Sequence, residues 1–147
     1  MTFIPAERLK NIRKSATRRL YDAAPPGSIN LGLGEPDFAT PEVVRRAALS
    51  VIEEGHIGYT TNAGILPLRE QIAAYHSQGA RAPFTVDQVC VMNGTEEALF
   101  AVMMSMVGPG DDVLLPDPCY LAYPPIAEIA GARVNYYHMP PARGFDR

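Results

Sequence analysis

The sequence has no tryptophan, two cysteines and three histidines, and each shortage closes a route. Cys90 and Cys119 stand far apart and form neither a disulfide framework nor a zinc pattern. Cys90, set among apolar residues, reads as a core position. His56, His76 and His138 show no metal-ligand spacing, and His76 reads as a helix-surface residue, so no metal is expected. No apolar run is long enough to cross a bilayer. The opening Met1-Thr2-Phe3-Ile4-Pro5 leads into charged residues rather than a signal-peptide core. The expectation is a cytoplasmic protein with no membrane partner. A formal charge of −3 gives no reason to expect nucleic acid either.

What is present is an ordinary globular composition, 47% apolar and 20% charged, over 147 residues, enough for one domain with a core. Proline is the abundant oddity, with fourteen residues. They sit at element boundaries, as in Pro25-Pro26, Pro41, Pro67, Pro109 and Pro124-Pro125, and so punctuate an ordered fold rather than a linker.

In chain order, Arg8 to Leu20 places Leu9, Ile12, Ala16 and Leu20 near one face of a helix, with arginines and lysines over the rest. Such a face suits an anionic surface, solvent or a subunit interface. Residues 1–28 are expected to form this helix and an arm, and residues 29–147 the domain proper. Asn30-Leu31-Gly32-Leu33-Gly34 carries a Gly-x-Gly pair without the third glycine or following helix of a dinucleotide fingerprint. A compact turn and a ligand loop both fit it. Thr40 as N-cap and Pro41 at N1 predict a helix that ends at Gly55. Pro67 opens another, with Leu68, Ile72 and Tyr75 inward and Gly79 as its stop.

The centre of the chain is Val91-Met92-Asn93-Gly94-Thr95-Glu96-Glu97-Ala98. Gln88 to Met92 predicts a strand, and Ala98 to Val107 an apolar, buried helix that needs cover on every side. Thr95 opens that helix after a tight Asn-Gly turn. A strand, a glycine corner and a helix N-terminus gather unpaired N–H groups and favour an anion; a plain strand-to-helix junction has the same pattern. Asp111 to Pro116 predicts a second strand, Leu121 to Ala130 a helix, and Arg133 to Tyr137 a third strand. Strands alternating with helices imply an α/β fold with a mainly parallel sheet covered by helices on both faces. Ligands bind such sheets beyond the carboxyl ends of the strands, the rim where Gly94, Thr95 and Tyr120 would fall.

Taken together, Asn30-Leu31-Gly32-Leu33-Gly34-Glu35-Pro36-Asp37-Phe38, Tyr59-Thr60 with Gly64 and Leu68-Arg69, Asn93-Gly94-Thr95-Glu96-Glu97-Ala98-Leu99, Pro109-Gly110-Asp111-Asp112-Val113, and Pro118-Cys119-Tyr120 with Tyr123 resemble the class I/II aminotransferases of fold type I. The resemblance runs from about Ile29 to Tyr137 and implies pyridoxal 5′-phosphate as cofactor, an amino acid and a 2-oxo acid as substrates, and a homodimer. It implies that the backbone after Gly94, at Thr95 and Glu96, binds the cofactor phosphate, and that Tyr120 stacks on its ring. Tyr59 would reach the phosphate of the neighbouring subunit, and Gly34 would lie under the substrate's α-carboxylate. Relatives often place a hydroxyl, amide or lysine where Glu96 stands, and a carboxylate facing a dianion is unfavourable, so the Glu96 side chain is not counted as a ligand.

Lysine occurs only as Lys10 and Lys14, outside the resembling region. The family's Schiff-base lysine is therefore expected downstream, and no catalytic residue is assigned in this chain. The resemblance implies the front part of an aminotransferase, inactive alone. A lyase on the same scaffold and a small non-enzymatic α/β binding domain are the competing readings.

Overall fold

The computed structural model describes residues 4–32, 34–55 and 57–145. Leu33 and His56, both expected in loops, lie outside them. The chain divides into two compact units, residues 1–33 with 93–147, and residues 34–92.

The N-terminal segment departs from the single basic helix expected over Arg8 to Leu20. A 3-10 turn spans Glu7–Leu9 and packs on a later helix, while the first α-helix, α1, covers Ala16–Ala23. The Arg13 guanidinium lies at the break. It donates to the carbonyls of Lys10 and Ile12, at 2.6 and 3.2 Å, which a continuous helix would give to amides four residues on. Ser15 then starts α1 afresh by accepting the Arg18 N–H at 3.2 Å. Lys14 and Arg18 both pair with Asp22, and the Lys14 contact above all holds that carboxyl below its usual range.

In the second unit α2 covers Glu42–Glu53 and α3 covers Leu66–Ser77. Pro41, not Thr40, is the N-cap of α2: its ψ of 140° is extended, so the helix begins one residue later than expected. Its carbonyl receives the Val44 and Arg45 N–H groups. Glu42 holds Arg45 and Arg46 one turn ahead, and Gly55, at φ +72°, lets the chain leave. Pro67 falls in the first turn of α3 as predicted. The inward face differs from the expectation: Ala73 is buried and Ile72 half-buried, whereas Leu68 and Tyr75 are exposed.

The strand expected at Gln88 to Met92 does not form. Val86–Gln88 is a 3-10 turn, and the extended residues after it make one backbone bond to another segment, from the Val91 N–H to the Ala63 carbonyl at 2.9 Å. A strand exists only with a ladder partner, and a single bond is not a ladder. Cys90, expected in the core, is exposed.

Back in the first unit, α4 covers Thr95–Met106, β1 Asp112–Asp117, α5 Tyr123–Ala130 and β2 Arg133–His138. The strands pair in parallel, from Asp112 opposite Arg133 to Asp117 opposite His138, with α5 as the crossover. The core lies here: Leu115 of β1 packs with Ala122, Ile126, Ala127 and Ala130, and Ala127 is fully enclosed. Leu114, on the opposite face of β1, is exposed. Gly131 ends α5 at φ +92°, where a Cβ would stand 3.0 Å from the Pro109 ring. α4 was expected to be buried, yet none of its residues is, and Phe100, Val102, Met104 and Met106 are all exposed. Its apolar composition calls for cover; α5 packs beside it, and Ala98, Leu99, Ala101 and Met103 are half-buried. Among the described residues no helix is long and apolar enough to cross a membrane.

Candidate functional site

The N-terminus of α4 is built by Gly94. Its φ of 89° and ψ of 169° belong to a backbone region closed to other residues, so glycine is required at this corner. The Ala98 N–H is the first to find a helical carbonyl, that of Gly94, at 3.3 Å. The N–H groups of Thr95, Glu96 and Glu97 precede it and point out of the helix end, with the positive end of its dipole behind them. Glu97, in the same turn, accepts the Asn93 N–H with its carboxylate and so places a negative charge beside this helix end. Glu96 is exposed. No heavy atom lies within 4 Å of where a Gly94 Cβ would stand, so the approach is open. Three converging donors and an unobstructed glycine suit a multiply charged oxyanion such as a phosphate.

Tyr120 follows the end of β1, beyond the cis Asp117–Pro118 bond. Its ring meets Tyr123 edge to face, with centroids 5.5 Å apart, and its carbonyl accepts the Tyr123 N–H at 3.1 Å. That contact braces the ring, while 51% of the residue remains exposed, leaving a face for a flat heterocycle. Beside it Cys119 is half-buried, and burial, with the Asp117 charge second, pushes its thiol up, away from the reactive thiolate. Burial likewise pushes up the Tyr136 hydroxyl. Among the described residues no cluster of His, Cys, Asp and Glu is placed to hold a metal ion.

Gly34 and Tyr59 belong to the second unit. Tyr59 is fully exposed in a loop. Nothing lies within 4 Å of where a Gly34 Cβ would stand, so no contact in its own unit demands glycine there. The residue that sequence reasoning passed over is Arg69. Its guanidinium, 15% exposed, donates to the carbonyls of Val86 and Val89 at 2.7 and 3.0 Å. The only sequence signal for it was the Leu68-Arg69 pair within the motif.

This arrangement, a strand–helix–strand crossover in parallel, an aromatic after the strand end and a glycine-opened helix, is found in the fold type I enzymes that the chain resembles in structure. The family model for aminotransferase class I and II matches residues 26–146, and the chain belongs to that family. The aspartate aminotransferase of Pyrococcus horikoshii is 36% identical over 130 residues, covering 87% of this chain and 33% of that protein. The enzyme of the same name from Thermotoga maritima is 41% identical over 107 residues, 73% of this chain and 28% of its own length. Among solved structures, the aspartate aminotransferase of Rhizobium meliloti matches with a TM-score of 0.85 at 30% identity, over 99% of this chain and 38% of that one. The chain thus spans well under half the length of these relatives.

Proposed function

We propose that this chain supplies the cofactor-phosphate and ring contacts of a pyridoxal-phosphate-dependent aminotransferase, which moves an amino group between an L-amino acid and a 2-oxo acid. The observation that carries the reading is the α4 N-terminus, where Gly94 opens the corner and the Thr95 and Glu96 N–H groups face outward. These donors would hold the phosphate by backbone dipoles, and the Glu96 carboxylate would turn to solvent. The Tyr120 ring would stack on the pyridine and keep one of its faces from water. Gly34 would offer its backbone N–H to the substrate's α-carboxylate. Tyr59, exposed in its own unit, would donate its hydroxyl to the phosphate of a second copy in a homodimer.

When bound, the cofactor supplies an electron sink for breaking a bond at the amino acid's Cα. The chain's two lysines are both engaged in ion pairs, Lys10 with Glu7 and Lys14 with Asp22, and neither is assigned to proton transfer. On this reading the 147-residue chain binds the cofactor without turning over amino acids. The free cysteines fit a reducing cytoplasm.

The test compares pyridoxal phosphate with phosphate-free pyridoxal by equilibrium dialysis. The phosphate should raise affinity about tenfold or more, the effect of one charged hydrogen bond, and inorganic phosphate should compete. Tyr120→Ala should weaken both ligands alike, by about 1 kcal/mol beyond area effects. Equal affinity for the two ligands would overturn the assignment.

A further inference from the structure

We infer that Arg69 is a positioning residue for Tyr59, acting through a staple that ties the Tyr59 loop to residues 86–91. The inference rests on the role proposed above for Tyr59; the staple itself stands on geometry. Arg69 sits in the first turn of α3 and reaches across to two carbonyls, Val86 at 2.7 Å and Val89 at 3.0 Å. Asp87, the acidic partner nearby, is 3.9 Å away and 92% exposed, so this half-buried cation is satisfied chiefly by backbone dipoles. A planar guanidinium meets two such acceptors with donors in a fixed fork, which the rotatable donors of an ammonium do not reproduce.

The segment so held is the surface on which the neighbouring turn is laid. The Val91 N–H donates to the Ala63 carbonyl at 2.9 Å, and the Cys90 thiol lies 3.9 Å from the Asn62 carbonyl. The turn closes on itself through the Gly64 N–H to the Thr61 carbonyl at 2.9 Å and the Thr61 hydroxyl to the Gly64 carbonyl at 2.7 Å. Gly64 adopts φ +96°, and the Val91 side chain stands 2.8 Å from where a Cβ would be, so the turn fits directly against Val91. Tyr59 lies two residues before this turn, with its ring fully exposed. Among the described residues none covers the ring. The point from which the side chain departs is set by the backbone, and that backbone is anchored at Thr61 to Gly64. Releasing the carbonyls of Val86 and Val89 therefore loosens Tyr59 without touching it.

The experiment uses the 147-residue chain with Arg69→Met and the milder Arg69→Lys. Amide hydrogen exchange at Val91 and Gly64 should accelerate about tenfold or more, the scale of a lost charged hydrogen bond, while the Val51 amide in α2 holds its rate. Unchanged exchange at Val91 and Gly64, or equal acceleration at Val51, would overturn the staple. A double-mutant cycle on the affinity ratio of pyridoxal phosphate to pyridoxal then reads the action through Tyr59. In the homodimer that the Tyr59 role requires, Tyr59→Phe should lower the ratio by part of its value in the parent chain and leave it unchanged beside Arg69→Met. Multiplying effects would show that Arg69 does not work through Tyr59. If the parent chain shows no preference for the phosphorylated ligand, the cofactor assignment fails, and the exchange rates alone then decide whether Arg69 holds the turn.

Discussion

The crossover from Asp112 to His138 and the segment from Tyr59 to Val91 hold themselves together by opposite means. In the first, Leu115, Ala122, Ile126, Ala127 and Ala130 exclude water from one shared interior. In the second, Ala73 is the one buried apolar residue among those described, and order comes from side chains bonded to backbone: Arg69 to Val86 and Val89, Thr61 to Gly64, Ser77 to Ala73 and Phe84. Apolar burial is non-directional and tolerates small shifts, whereas hydrogen bonds fail when geometry slips.

The comparison breaks most directly at Ile126. Ile126→Ala removes a 6% exposed side chain from the crossover core and should cost about 2–5 kcal/mol. Amide exchange should rise along β1 and β2 while the Val91 and Gly64 amides keep their rates. Equal loss of protection in residues 34–92 would show that the two regions do not stand apart.

Gly64 offers the matching break in the bonded region. Gly64→Ala places a Cβ 2.8 Å from Val91 at a φ of +96°, and the strained conformation alone costs about 1–3 kcal/mol. The exchange of Val91 should quicken and that of Leu115 stay put. A variant with unchanged melting and exchange would mean that the turn gives way without cost, and that burial rather than fit decides this region too.

How much of this was legible depended on whether the physics was local. Pro109 marked an element boundary, and at that boundary the Asp111 carboxylate accepts the Gly108 N–H at 2.9 Å. β1, α5 and β2 all fell within two residues of their expected bounds, because alternation, proline at a helix start and Gly131 at its end are short-range signals. The α4 N-terminus was readable for the same reason. What failed required a partner. Residues 88–92 had a strand's composition but no ladder, and Cys90 had apolar neighbours in sequence without being covered in space. The apolar face of α4 could be read, but not what would lie against it. Arg69 was invisible because its acceptors are backbone carbonyls seventeen and twenty residues away, and carbonyls leave no trace in a sequence.

The smallest expected effect sharpens the comparison by placing a polar staple on the burial-held region. Arg133 grips Asp112 across the strand pair at 3.0 and 2.6 Å, and Asn135 adds a bond at 2.9 Å. The Arg133 hydrogen bonds above all, followed by that of Asn135, hold the Asp112 carboxyl below its ordinary range. A carboxyl lowered on folding binds its proton less readily in the folded chain than in the unfolded one. Its contribution to stability is complete above the unfolded value of about 4 and fades as pH falls through the lower folded value. Because the pair is exposed, the contribution should be minor and weaken further in salt. Urea unfolding of the parent chain and Asp112→Asn should therefore differ slightly at neutral pH and converge in strong acid, with the exchange protection of Leu115 and Tyr136 intact in both. If the variant instead lost the protection of β1 and β2 at neutral pH, the crossover would depend on bonded side chains as the Tyr59 segment does, and the contrast between the two regions would fall.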